Sequence, residues 1–262
     1  MKPRFPQPLT VGGTAQFAVA SWFRLWAAQF AVALGCAVLV AWFCHARIFP
    51  VVRQSIGAIP PGAALQSGRL HWPAAGSKLL GENAWFAMIL NLDPEGDTGQ
   101  AADFQWEIGR HSDRLRSLLG FLDLPPRHQL NMPLDPVQTL AWWTSFQPLL
   151  LAGIASGTMI FLGISWVSLM LVYAPGARFI AFYFDRHCDA SGALKLTAAA
   201  LLPGALFLTG AIALYGLRWI PLIALLIAFA LHFPIGWIYV AFAPLHLPKL
   251  NSNSKGNPFS PA

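Results

Sequence analysis

Asp93, Glu95 and Asp97 alternate as the first three ligands of a calcium loop do, the nearest this chain comes to a metal motif. Pro94 and Gly96 break the pattern early and no glutamate closes it at the twelfth position, so the acids read as an exposed hairpin turn. His71, His111 and His128 share a polar region with Glu107 and Asp113, yet no pair has the spacing of a zinc site. Gly163-Ile164-Ser165-Trp166 starts like a nucleophile elbow and lacks its closing glycine. A His-Glu-x-x-His segment and a glycine-rich phosphate loop are both missing. His45, Glu107 and His111 could act as acids and bases near a bilayer surface, but they form no motif. The expectation is therefore a protein that is not an enzyme, with no catalytic residue, no metal ligand and no cofactor.

Two polar residues stand inside long apolar runs. His232 is an ionisable group placed two residues before Pro234, and such a group in a membrane span is a functional candidate. It has no Asp, Glu, Lys or Arg within a span to relay protons with, and hydrogen bonding to a neighbouring helix is the plainer role. Gln29 is read the same way, as an amide that joins helices. Together they make the candidate intramembrane polar site.

The elements that hold these residues follow from composition. The 262 residues are 56% hydrophobic and only 11% charged, with a mean hydropathy of +0.53, far from the roughly 25% charge of a soluble domain. Four apolar stretches read as transmembrane helices, Leu25–Cys44, Leu149–Tyr173, Leu196–Leu217 and Trp219–Phe242, the last two joined at Arg218 in a tight hairpin. Trp42 and Phe43 sit where a signal peptidase would need small residues, so the first stretch is an uncleaved anchor. Gly153, Ser156, Gly157 and Gly163 would let the second helix approach a neighbour closely.

The net charge of +6 belongs to topology, since the cations flank apolar segments and offer no face to nucleic acid. Lys2, Arg4 and Arg24 precede the first span, Arg178, Arg186 and Lys195 separate the second from the third, and Lys249 and Lys255 follow the fourth. The positive-inside rule then puts both termini in the cytoplasm of a bacterial inner membrane. The domains are an inner segment 1–24, an anchor 25–44, an extracytoplasmic domain 45–147, a three-helix region 148–245 with an interfacial loop 174–195, and a disordered tail 246–262.

Within the outer domain, Gln66-Ser67-Gly68 turns a hairpin inside Leu65–Trp72, and Trp85–Leu92, Asp103–Ile108 and Leu115–Leu122 have strand length and composition. The fold class is thus an integral membrane protein, mainly α-helical, with a small antiparallel β domain between helices one and two. Leu124–Pro136 returns to the membrane as extended chain. Phe179, Phe182, Tyr183 and Phe184 beside Arg178 and Arg186 suggest a short amphipathic helix at the interface. The disulfide framework of small secreted domains is missing, as Cys36, Cys44 and Cys188 all lie outside the insert.

Ile59-Pro60, Ser67-Gly68-Arg69-Leu70 and the Leu90–Gly96 run that ends in Asp-Pro-Glu-Gly stand in an order that resembles a bacterial multi-spanning membrane protein family of unknown function. Some of its members are labelled maltodextrin-utilisation protein. Ala193-Leu194-Lys195-Leu196 followed by Pro203 is similar to the opening of a span in Yip1-like membrane domains. The resemblance implies one anchor, an outer β insert and three further spans, and no catalytic residues. Beyond the lipid bilayer, the expected partner is an envelope protein or a second copy, met by Trp72 and Trp85 of the outer domain, since aromatics dominate binding hot spots; with Trp106 these residues can equally form the sheet's own core. The alternative is a subunit of a small-solute transporter with a polar site near the fourth helix.

Overall fold

The computed structural model describes residues 6–73, 76–93, 98–127 and 131–250. The readings made for Glu95, Asp97, His128, Lys2, Arg4, Lys255 and the tail from Asn251 lie outside them. In chain order the helices are α1 (Val11–Ala15), α2 (Trp22–Phe43), α3 (Phe49–Gly57), α4 (Pro136–Tyr183), α5 (Ala190–Ala200), α6 (Leu202–Gly216) and α7 (Leu222–Phe242). Between α3 and α4 run β1 (Ala64–Gln66), β2 (Arg69–His71), β3 (Ser77–Glu82), β4 (Phe86–Asn91), β5 (Phe104–Ile108), β6 (Asp113–Ser117), β7 (Gly120–Asp123) and β8 (Met132–Pro133). Four helices are long and apolar enough to cross a membrane: Trp22–Gly57, Pro136–Tyr183, Ala190–Gly216 and Leu222–His246. The described chain divides into two compact units, one formed up to Leu39 and from Ser156 onward, the other by Val40–Ala155.

Helix boundaries depart from the hydropathy reading wherever a cap or a proline decides them. Past Phe43 the first helix continues through a π turn, Cys44–Ile48, into α3. Pro50 explains the turn, because it has no N–H for the preceding carbonyls and its ring presses on them; one wide turn absorbs both problems. Helix α4 starts at Pro136 instead of Leu149. Asp135 sets that start: its carboxylate accepts from the N–H groups of Val137 and Gln138, both at 3.4 Å, and proline is favoured in a first turn. The same helix runs to Tyr183, so the interfacial segment expected as a separate helix forms the last turns of α4, a bend at Asp185 (φ 52°) and the start of α5. The third span is broken at Leu201, with Pro203 in the first turn of α6. Trp219 lies in the turn before α7, which begins after Pro221.

In the first unit, α6 and α7 form the expected hairpin, turned by Arg218 in a left-handed conformation (φ 64°). Gly204 makes their closest approach, since a Cβ there would stand 2.5 Å from the His232 carbonyl oxygen. By contrast, Gly157 and Gly163 of α4 have nothing within 4 Å of where a Cβ would be, so these small residues serve no helix contact among the described residues. The sequence assigned no structure to the segment before Arg24. It folds as α1 and a 3-10 turn, Gln16–Ala18, whose Thr14, Ala15, Phe17 and Ala18 are buried against α5 and the turn after α7. The Tyr239 hydroxyl donates to the Leu9 carbonyl and Lys195 Nζ to the Ala20 carbonyl, both at 2.8 Å.

In the second unit the strands form two sheets, β2-β1-β8 and β3-β4-β5-β6-β7. Ser67 (φ 50°) and Gly68 (φ 77°) close the β1–β2 hairpin at the expected place. The purely antiparallel expectation fails at one pair: β4 and β5 run parallel, with Phe86 opposite Phe104 and Leu90 opposite Ile108. A parallel pair needs a crossover of about a dozen residues, and the chain between Leu92 and Asp103 has that length. The core lies on one face of the larger sheet, where Phe86, Met88 and Leu90 pack with Val51 of α3 and Leu70 of β2.

Candidate functional site

Trp85 and Trp72, the tryptophans expected to meet a partner, are used inside the fold. Trp85 is 6% exposed, with the Arg47 guanidinium 4.4 Å above its ring and Phe43 edge-on at 6.5 Å. Asn83 fixes this corner. Its side-chain oxygen accepts from the backbone N–H groups of Trp85 and Phe86, both at 2.9 Å, and its amide donates to the Arg47 carbonyl in the π turn at 2.5 Å. Trp72 and Trp106 are half-buried against the core cluster.

Among the strands of this unit, the most exposed apolar residues are gathered elsewhere, on the β6–β7 hairpin. The sequence showed Leu115–Leu122 as one strand; the structure folds it at Leu118-Leu119, with Ser117 paired to Gly120 (φ 120°). Leucines at a turn carry no local signal for it, although two adjacent leucines before a glycine cannot both face one core in a strand of period two. Leu119 is 78% exposed, Phe121 64%, Leu122 61% and Leu118 52%. Leu115 and Leu122 are cross-strand partners, so they extend the sheet face that buries Met88 and Trp106 further in, to a place that the described residues leave exposed. On the other face Arg114 lies 4.7 Å over the Phe121 ring and binds Asp123 at 2.7 Å. That hydrogen bond raises the guanidinium pKa above its usual value.

The two sheet edges are treated differently. Strand β3 lies against α3, where a Cβ on Gly81 would meet Ser55 Oγ and the Val51 carbonyl at 2.9 Å. Strand β7 is exposed along its whole length. Edge strands are normally blunted by charge, proline or a cover, and β7 offers only Asp123, already engaged by Arg114.

An open groove of about 670 Å³ brings together several acids and bases from the sequence, among them Asp93, Glu107, His111 and Asp113. Arginines take up its Glu107, Asp113 and Asp123 carboxylates. Glu107, 3% exposed, accepts from Thr98 and Gln105 at 2.9 Å and pairs with Arg116 at 3.2 Å. Asp113 pairs with Arg127, and no cluster of three metal-binding side chains forms among the described residues. The network instead pins the residues 98–101 over β5, through Gln105 bonded to the Gly99 carbonyl (2.9 Å) and the Ala101 N–H (2.8 Å). His45 is not among the groove residues; it meets the Phe49 ring edge-on at 6.1 Å. His71 is exposed on β2.

The intramembrane pair is not one site. Gln29 is 5% exposed and lines a cavity of about 250 Å³ with Trp26, Ala33 and Met159. His232 lines a larger one, of about 450 Å³, between α2, α4, α6 and α7. Comparison of the chain with protein-family models, with curated proteins and with solved structures finds no match. The site must therefore be read from its own chemistry: an apolar hairpin on the β unit, and a cavity with few polar groups among the helices.

Proposed function

We propose that this is a multi-pass bacterial inner-membrane protein, without catalytic activity, that holds an extracytoplasmic β domain in place to bind an envelope protein through the β6–β7 hairpin. The observation that carries the reading is the exposed run Leu118, Leu119, Phe121 and Leu122 on an uncovered edge strand. Contiguous apolar surface of this kind marks interaction sites, and an open edge can also add a partner's strand by main-chain hydrogen bonding. The short-flank cations support a β domain outside and both termini in the cytoplasm. One apolar helix, a β region and three further helices, in that order, also support the likeness to the bacterial membrane family of unknown function.

A photoreactive phenylalanine analogue at Leu119, activated in intact cells, tests it. A defined envelope protein is expected in the adduct, and Leu118→Glu with Leu119→Asn should abolish capture by the same probe moved to Phe121, while leaving the fold, because both residues suit a type I turn. Adducts with lipid alone would overturn the reading, and adducts with a second copy would replace the partner by self-association. The second reading, a transporter subunit with a polar site near the fourth helix, has against it the largely apolar lining of the cavity at His232. Loss of solute uptake in His232→Ala would support it.

A further inference from the structure

The cavity at His232 points to a different kind of ligand from a water-soluble solute, and it does so independently of the docking hairpin. Voids in a packed interior rarely exceed one water molecule, and about 450 Å³ lies within the roughly 300–1,000 Å³ of small-molecule sites. No Asp, Glu, Lys or Arg lines it. A hydrated ion or sugar entering would trade water for Trp166, Phe229 and Phe233 without replacement hydrogen bonds. Phe161 (71% exposed), Ile164 (64%) and Trp237 (54%) line it while facing outward from the bundle, so access is from hydrocarbon.

Beside the Ser165 and Ser168 hydroxyls, Tyr173 and His232 bring polar atoms with unused hydrogen-bonding capacity into this lining. Trp237 Nε1–H donates to the Tyr173 hydroxyl oxygen at 2.9 Å, and the tyrosine's own proton has no acceptor among the described residues. The Nδ1–H of His232 donates to the Phe229 carbonyl, and in that tautomer Nε2 keeps a lone pair as an acceptor. Thr209, by contrast, returns its proton to the Ala205 carbonyl at 2.7 Å. A free donor at Tyr173 and a free acceptor at His232, with the serine hydroxyls among the further polar groups of a largely apolar lining, suit a ligand hydroxyl, which can serve as both. We infer that the cavity binds a hydroxyl-bearing lipid, a long-chain alcohol or phenol drawn from the bilayer, with its chain against the aromatic walls and its hydroxyl read by Tyr173 and His232.

The full chain in lipid nanodiscs can be photolabelled with a hexadecanol that carries a diazirine and a terminal alkyne, and in parallel with the methyl ether of that probe. The alcohol is expected to label α4 and α7 about fivefold more than the ether, the scale of one net hydrogen bond. His232→Phe and Tyr173→Phe should bring that ratio toward one while labelling persists, and filling the chamber with Ala205→Phe or Ser165→Phe should remove it. Equal labelling by both probes in the unaltered protein, or labelling that survives the filling, overturns the inference and leaves only bulk lipid in the crevice. Where the filled variants fail to fold, the alcohol-to-ether ratio of His232→Phe decides alone.

Discussion

At the scale of single residues, one tight constraint in the helical unit falls on a glycine. Gly204 abuts the His232 carbonyl, and that position sets the close approach of α6 to α7. Gly204→Val should therefore lower stability by about 2 kcal/mol, the usual cost of overpacking, whereas Gly157→Val on open α4 should change it little. Thermal unfolding of both variants in the same detergent compares them directly. His232 itself was legible in the sequence as an ionisable group in an apolar run. Its companion Tyr173 was not, because a tyrosine near a helix end reads as an ordinary interfacial anchor until the fold brings Trp237 onto its hydroxyl.

Elements were legible in proportion to how local their causes are. The β1–β2 hairpin follows from Gln66-Ser67-Gly68, and β4 and β5 from their composition. Strand β3 was missed since Ser77–Glu82 has no alternation: Leu79 is exposed while Leu80 and Gly81 are buried, and a register shift lies between Leu79 and Gly81. The parallel pairing of β4 with β5 was illegible because strand order is settled by packing over α3, not by either strand's own residues. The continuity of the first helix past Cys44 has the same character, resting on a π turn and on Asn83, which is far from it in sequence. Asn83→Ala removes two acceptor bonds and one donor bond at that corner and should cost about 2 kcal/mol. Chemical denaturation of the purified chain, followed by tryptophan fluorescence, would show it as a lower midpoint.

For the molecule as a whole, the proposed topology makes a simple demand. Reporters fused at Gly76, before β3, and at Gly192, in the first turn of α5, should lie on opposite sides of the membrane, the first outside and the second inside. Alkaline phosphatase and green fluorescent protein fusions read the two compartments separately, and the reverse pattern would overturn the orientation. The distribution of burial agrees with a bilayer as solvent: Phe161, Phe179 and Ile160 are largely exposed on α4, where surrounding lipid would be their natural contact.

The N-terminal plug sets an order of events during synthesis. Leu9 and Tyr239, which share a hydrogen bond, are 230 positions apart, so the ribosome releases Leu9 long before it makes α7. At about 5–20 residues per second the wait is on the order of ten seconds or more. Until α5 is made, α1 and Phe17 lack that helix as cover, and the turn after α7 is the last part of their cover to arrive. A chain arrested before α7 would consequently carry at its start an apolar segment that α5 covers only in part, and its front end would stay looser than that of the finished protein.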